Sequence, residues 1–159
     1  MFEVDEKGIR IIGTSFWLDA NRVVPFSFVS HAHADHIRNH KKILATPATI
    51  SFFEHRRKKV ESICLDYNTP YQFDGMTIEL FPSGHILGAA QILVEKDGTR
   101  LVYTGDLNVR NSATAAPAEI READILIIES TFGRPAYNFP KRYQVIEQLV
   151  KFIDQSFED

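Results

Sequence analysis

FVSHAHADH, residues 28–36, sets three histidines and one aspartate within six consecutive positions, directly after a run of residues with strand character. Neutral imidazole is the commonest metal ligand among side chains, and a carboxylate adds charge to such a site. If residues 26–30 form a strand, the chain turns just past Ser30, and His31 and His33 project to one side of extended backbone. Asp35 and His36 follow where the chain has turned back, in ADHIRNH, which could open a short helix. Two ligand pairs, close but differently directed, suit two metal ions about 3.5–4 Å apart. The single cysteine, Cys64, excludes an intrachain disulfide and a thiolate-rich zinc cluster, so the ligands must be nitrogen and oxygen. Cys64 itself is expected to be a small buried hydrophobe.

The cluster cannot complete two sites alone, so partners are sought at other strand ends beside small residues. PSGHILGAA (82–90) supplies His85 between Gly84 and Gly88, and YTGDLN (103–108) supplies Asp106 after a strand and a glycine. Glycine allows close backbone approach at such places. A carboxylate at 106 could bridge two metals. Taken singly, each would also serve as a turn cap. The other two histidines, His40 and His55, lie in or near basic stretches and are expected on the surface. HRRKKV (55–60) reads as a solvated helix end complementing the helix dipole, with phosphate binding as the alternative.

The surrounding chain predicts a mixed α/β sheet protein. IRIIGTSFWLDA (9–20) predicts one or two strands and VVPFSFVS (23–30) another. KKILATPATISFFEHRRKKV (41–60) predicts a short strand, a turn at Pro47 and an amphipathic helix. ESICLDYNTPYQFDGMTIELFPSGH (61–85) predicts two or three strands, with a turn at Asp74–Gly75. AAQILVEKDGTRLVYTGD (89–106) is the clearest hairpin, turning at Asp97–Gly98. The apolar run in EADILIIES (122–130) predicts a strand buried on both faces. KRYQVIEQLVKFIDQSF (141–157) has helical spacing. At 159 residues with a net charge of −3, the chain has one domain's length and lacks the charge to coat nucleic acid by itself, though a local patch could grip a backbone. It has no bilayer-length apolar run and its N-terminus lacks a signal peptide's apolar centre, so a soluble, cytoplasmic protein with no membrane partner is expected.

SHAHADH (30–36), SGHILGAA (83–90), VYTGD (102–106) and ILIIESTFG (125–133) together resemble the motif series of metallo-β-lactamase-fold nucleases of the beta-CASP group. That group includes the cleavage-and-polyadenylation endonuclease, archaeal messenger-RNA 3′-end-processing-factor-like proteins and bacterial ligase-associated exonucleases. The motifs come in family order over residues 19–133. The resemblance implies an αββα sandwich, of which this chain is the N-terminal half with a mixed, mostly antiparallel sheet. Residues 1–138 would be the N-terminal part of the metallo-β-lactamase domain, and residues 139–159 a helix leading toward a beta-CASP insert.

Residue by residue, the resemblance implies that His31, His33 and His85 hold one zinc, that Asp35 and His36 hold a second, and that Asp106 bridges them. Asp19 would support the metal loop, and Glu129 would orient a catalytic histidine. Asp35, Asp106 and Glu129 are thus the implied catalytic set. A bridging hydroxide would attack phosphorus in RNA or single-stranded DNA. The family also uses two later histidines, and none follows His85 here. The expectation is therefore the first part of a longer protein, holding one zinc well and the second poorly, with a sheet face open to self-association or a partner. The alternatives are a small-molecule thioester or lactone hydrolase of the same fold, or a non-catalytic metal-binding fragment.

Overall fold

Short apolar segments separated by turn residues build two sheets. The first contains β1 (Phe2–Asp5), β2 (Gly8–Ile11), β3 (Phe16–Leu18), β4 (Phe26–Phe28), β5 (Lys42–Ala45) and β6 (Glu61–Cys64), in that spatial order. The structure is a computed structural model, and it describes residues 1–157. β1–β3 pair antiparallel, whereas β3–β6 pair parallel. A parallel step needs a crossover. The segment after β4 makes one crossover, and α1 (Pro47–Arg56) makes the next. Pro47 opens α1, where its missing N–H is no loss, and the Thr46 hydroxyl caps the helix by accepting the Thr49 N–H at 3.3 Å.

The second sheet contains β7 (Tyr71–Phe73), β8 (Met76–Pro82), β9 (Ala90–Lys96), β10 (Thr99–Tyr103) and β11 (Ile125–Ile127), in the order β11-β10-β9-β8-β7. Both expected Asp–Gly turns are present, joining β7 to β8 and β9 to β10. The two sheets face each other across one core. Phe16, Phe28 and Leu44 from the first meet Ile78, Leu80, Ile92 and Leu101 from the second. Each such side chain contributes roughly 1.5–3 kcal/mol by leaving water. A smaller cluster of Val29, Ile37, Ile43 and Phe53 seats α1 on the outer face of the first sheet.

The chain divides into two compact units, Met1–Glu129 and Ser130–Asp159. The second carries α2 (Arg142–Ser156), the helix expected from the spacing. No helix among the described residues is long and apolar enough to cross a membrane.

Three local expectations are corrected. Residues 34–36 form a turn and no helix. Arg38 donates its guanidinium to the carbonyls of Ala34 and Ile37, each at 2.8 Å, and so offers the Ala34 carbonyl an alternative to the helical partner, the Arg38 N–H. β11 is a three-residue edge strand, with Leu126 and Ile128 exposed, because only its inner residues Ile125 and Ile127 reach the core. Cys64 is exposed. It sits on edge strand β6, where alternation turns Ile63 inward and Cys64 out.

Candidate metal centre

Topology explains why distant residues meet. β3 and β4 are parallel neighbours, so Asp19 and the segment from Ser30 leave the first sheet at the same edge. β8 and β10 both run antiparallel to β9, so the loops carrying His85 and Asp106 leave the second sheet at one edge. Ala90 donates its N–H to the Ser30 carbonyl at 2.9 Å, tying the two edges together. Gly105 makes the closest approach. Its φ is +53°, and a Cβ there would lie 2.6 Å from the Ser30 Cβ. Only glycine fits that position.

His31, His33, His85 and Asp106 each offer one ligand atom, and these atoms lie within 4.8 Å of one another. His31 Nε2 is 3.0 Å from His33 Nδ1, and His85 Nε2 is 3.2 Å from the same Nδ1. Asp106 Oδ2 lies 3.7 Å from His31 Nε2 and 3.5 Å from His85 Nε2. The other oxygen of Asp106, Oδ1, lies 3.5 Å from His36 Nε2, and Asp35 Oδ2 lies 3.8 Å from that nitrogen. Asp35 is exposed, whereas His31 is fully buried.

Asp19 stands behind this cluster. Its carboxylate accepts the Ser30 N–H at 2.7 Å and the Tyr103 hydroxyl at 3.0 Å, and His36 Nδ1 lies at 2.9 Å. It therefore holds the loop and aims the other nitrogen of His36 at Asp106. Burial, and then the nearby His36, pushes His31 down to about 3, so its imidazole is neutral at ordinary pH. Burial likewise lowers His85. His36 moves the other way: burial opposes its charge, but the Asp19 hydrogen bond and the charges of Asp19, Asp106 and Asp35 outweigh it. Burial, and then the Asp19 charge, raises the Tyr103 hydroxyl, which remains a donor.

Glu129 accepts the Leu107 N–H at 3.3 Å, in the loop next to Asp106. His55 is exposed as expected. His40 is not: it is 1% exposed, and its Nδ1 accepts the Val24 N–H at 3.3 Å. The surface expectation followed local composition, but the crossover after β4 folds His40 against the residues leading into that strand. The basic run at 55–60 is the solvated helix end expected, with Arg56 and Arg57 exposed. Arg56 also donates to the Ala32 carbonyl at 3.2 Å and Arg57 to the Ile37 carbonyl at 3.5 Å, so both brace the histidine loop as well, which the composition did not signal. The bracing roles of Ser30 and Tyr103 were likewise missed. Their adjacency to His31 and to the Thr-Gly-Asp segment was the available signal.

The chain is 36% identical over 155 residues to a protein of Opitutus terrae named as a probable DNA ligase, covering 96% of this chain and 15% of that protein. It is 33% identical over 166 residues to an RNase J-like protein of Methanocaldococcus jannaschii, covering 87% of this chain and 39% of that one. An RNase named aCSPSF2 from Saccharolobus solfataricus is 28% identical over 149 residues, covering 74% of this chain and 30% of that one. Among solved structures, the metallo-β-lactamase fold protein YhfI of Bacillus subtilis aligns over 52% of this chain and 41% of its own, with a TM-score of 0.44 and 21% identity. No family model matches. The chain thus spans well under half the length of these curated relatives. Over the stretch it shares with them it has the two facing sheets, and the loops between strands gather the histidines and carboxylates in family order. Over that shared stretch, the likeness to the RNase J-like protein, the RNase aCSPSF2 and the probable DNA ligase bears out the resemblance to the metallo-β-lactamase-fold nucleases of the beta-CASP group.

Proposed function

We propose that this chain provides the metal-binding half of a zinc-dependent phosphodiesterase acting on RNA or single-stranded DNA. The observation that carries the reading is the two-sided placement of Asp106: Oδ2 faces His31 and His85, and Oδ1 faces His36. One carboxylate shared between two donor sets suits a dinuclear centre.

The donor set fits zinc. A tetrahedral zinc with bonds of about 2.0–2.1 Å keeps its ligand atoms about 3.3 Å apart. Four of the six separations here run from 3.0 to 3.7 Å, and all six lie within 4.8 Å. Neutral imidazoles at 31 and 85 are in the protonation state that ligation requires. His31, His33, His85 and Asp106 would hold one ion. Asp35 and His36, sharing Asp106, would hold a second with fewer donors, and so less tightly. Bound zinc would supply Lewis acidity, lowering the pKa of a water toward neutrality and offsetting charge on phosphate oxygens. Asp19 keeps His36 aimed at the centre, and Glu129 steadies the loop beside Asp106. The names of the relatives, an RNase J-like protein and an RNase, favour a polynucleotide substrate.

The test combines zinc stoichiometry with turnover of an RNA oligonucleotide and of a glutathione thioester, in the wild type and in Asp106→Ala. The reading predicts one tightly held zinc and RNA cleavage. It also predicts that Asp106→Ala reduces cleavage about 100-fold or more with the fold intact. Thioester turnover without RNA cleavage would refute it in favour of a small-molecule hydrolase. Loss of thermal stability in Asp106→Ala, with no cleavage by the wild type, would refute it in favour of a structural metal. Two tightly held equivalents would overturn the ranking of the two sites.

A further inference from the structure

Beside the metal cluster lies a cleft of about 230 Å³, lined by Ala32, His33, Phe52, Arg56, Ile86 and Leu87. One wall is the side of His33, a member of the four-residue donor set. α1 contributes Phe52 and Arg56, which are four residues apart and therefore neighbours on one helix face. Ile86 and Leu87, the residues that follow His85, complete the lining together with Thr114. Phe52 is 42% exposed and Leu87 56% exposed, so an aromatic ring and an aliphatic side chain both stand open to solvent next to the reactive centre. Arg56 is anchored through the Ala32 carbonyl and, among the described residues, forms no ion pair with a carboxylate. Its charge is held in place at the mouth of an apolar slot.

We infer that this cleft receives one unpaired nucleobase of the substrate strand, stacked on Phe52, while Arg56 meets the backbone phosphate next to it. The inference rests on the polynucleotide reading above and deepens it. An aromatic face beside a fixed cation is the pairing that single-strand binders use, and it tolerates every base because each has a π-face. A base inside a duplex cannot enter a slot of this size without leaving its partner. Selection for single strands is therefore built into the residues that line the cleft, apart from any clamp supplied by other chain segments. At about 230 Å³ the cleft has room for one base, so one nucleotide is held beside the centre and its phosphate is presented to it.

The experiment measures binding of the full chain, by fluorescence anisotropy, to two labelled 12-mers with identical phosphate backbones. One is oligothymidylate; the other carries tetrahydrofuran at every position and has no bases. Cleavage of the thymidylate is followed in the same samples. The wild type should bind the base-bearing strand about tenfold more tightly than the abasic one. Phe52→Ala should remove that difference while leaving abasic binding unchanged, and Phe52→Trp should restore it. The partial exposure of Phe52 makes both variants compatible with folding, checked by their melting curves. Equal binding of the two strands by the wild type, or a base preference that survives Phe52→Ala, overturns the inference. If cleavage persists in that case, the hydrolase reading stands without this cleft. Base-dependent binding with no cleavage supports the cleft and counts against cleavage of single-stranded DNA, leaving RNA hydrolysis to the oligonucleotide assay above.

Discussion

Replacing Asp19 with Asn alters the metal centre without touching any group that faces it. The Asp19 carboxylate can only accept hydrogen bonds, so the proton of neutral His36 belongs on Nδ1, 2.9 Å away. Nε2 then turns a lone pair toward Asp106 Oδ1 and Asp35 Oδ2, at 3.5 and 3.8 Å. Asn keeps one acceptor oxygen, and the short bond from the Ser30 N–H at 2.7 Å claims it. The amide nitrogen then meets His36 Nδ1 as a donor and drives the imidazole proton to Nε2. A protonated Nε2 cannot ligate a metal. On the two-zinc proposal, the second and weaker site should therefore lose about 10- to 100-fold in zinc affinity, the range expected when the partner orienting a ligand is changed. The first zinc should be unaffected, because none of His31, His33 and His85 is hydrogen-bonded to Asp19. Exchanging charge-assisted bonds for neutral ones should lower stability by about 1–2 kcal/mol, a fall of roughly 3–6 °C for a chain of this length. Zinc titration against competing chelators reads both sites, and a melting curve reads the fold. Unchanged second-site affinity, or equal loss at both sites, would refute the argument.

Two further outcomes follow from the packing around the centre. His40 is buried, and burial, and then the Arg38 charge, pushes it down to about 4. The unfolded chain therefore takes up that proton first as pH falls. The stability from a neutral His40 is complete above about pH 6.5 and drains away toward pH 4, by at most about 3 kcal/mol. His40→Asn, which keeps an acceptor for the Val24 N–H, should flatten this dependence. Urea unfolding of metal-free protein at pH 7 and 4.5 would show it, and identical falls in the two proteins would sink the idea. Gly105→Ala forces a side chain into a φ of +53° and a Cβ to within 2.6 Å of the Ser30 Cβ. It should lose about 2–4 kcal/mol and weaken zinc binding as the Asp106 loop is displaced. A change under about 0.5 kcal/mol in chemical denaturation would show that Ser30 yields instead.

The features that were legible in the sequence are those whose cause is local. The Asp–Gly dipeptides turn the hairpins through backbone preference alone, and Pro47 with Thr46 marks the start of α1. The ligands could be picked out because titratable side chains stood beside glycine or alanine at strand ends. The misplaced residues all depend on long-range order. His40 is buried by a contact with Val24 that exists only once the β4–β5 crossover has formed. Cys64 is exposed because β6 is the last strand of its sheet, a property of strand order that its own neighbours do not encode. The apolar run at 125–128 carries the pattern of a strand covered on both faces. Covering is done by other segments, however, and only Ile125 and Ile127 find a partner in the described core. Arg38 illustrates a short-range case, since its side chain takes the Ala34 carbonyl that its own N–H would meet in a helix over 34–40.

Ser30 shows how the centre is coupled to the sheets. Its N–H reaches Asp19 after β3, its carbonyl receives Ala90 at the start of β9, and its hydroxyl lies 2.9 Å from His31 Nδ1. Its Cβ stands against Gly105, one residue before Asp106. A second tie comes from Thr46, which donates its hydroxyl to the Gly88 carbonyl at 2.6 Å and so links the cap of α1 to the loop after His85. The donor atoms thus inherit their spacing from the facing of the two sheets and from the seat of α1, with little freedom left to the loops themselves. Sheets packed to interior density shift as bodies and resist bending. A substitution that slides one sheet against the other should therefore change zinc affinity even when it lies far from any ligand. A substitution that merely hollows the core should lower stability and leave the affinity almost unchanged.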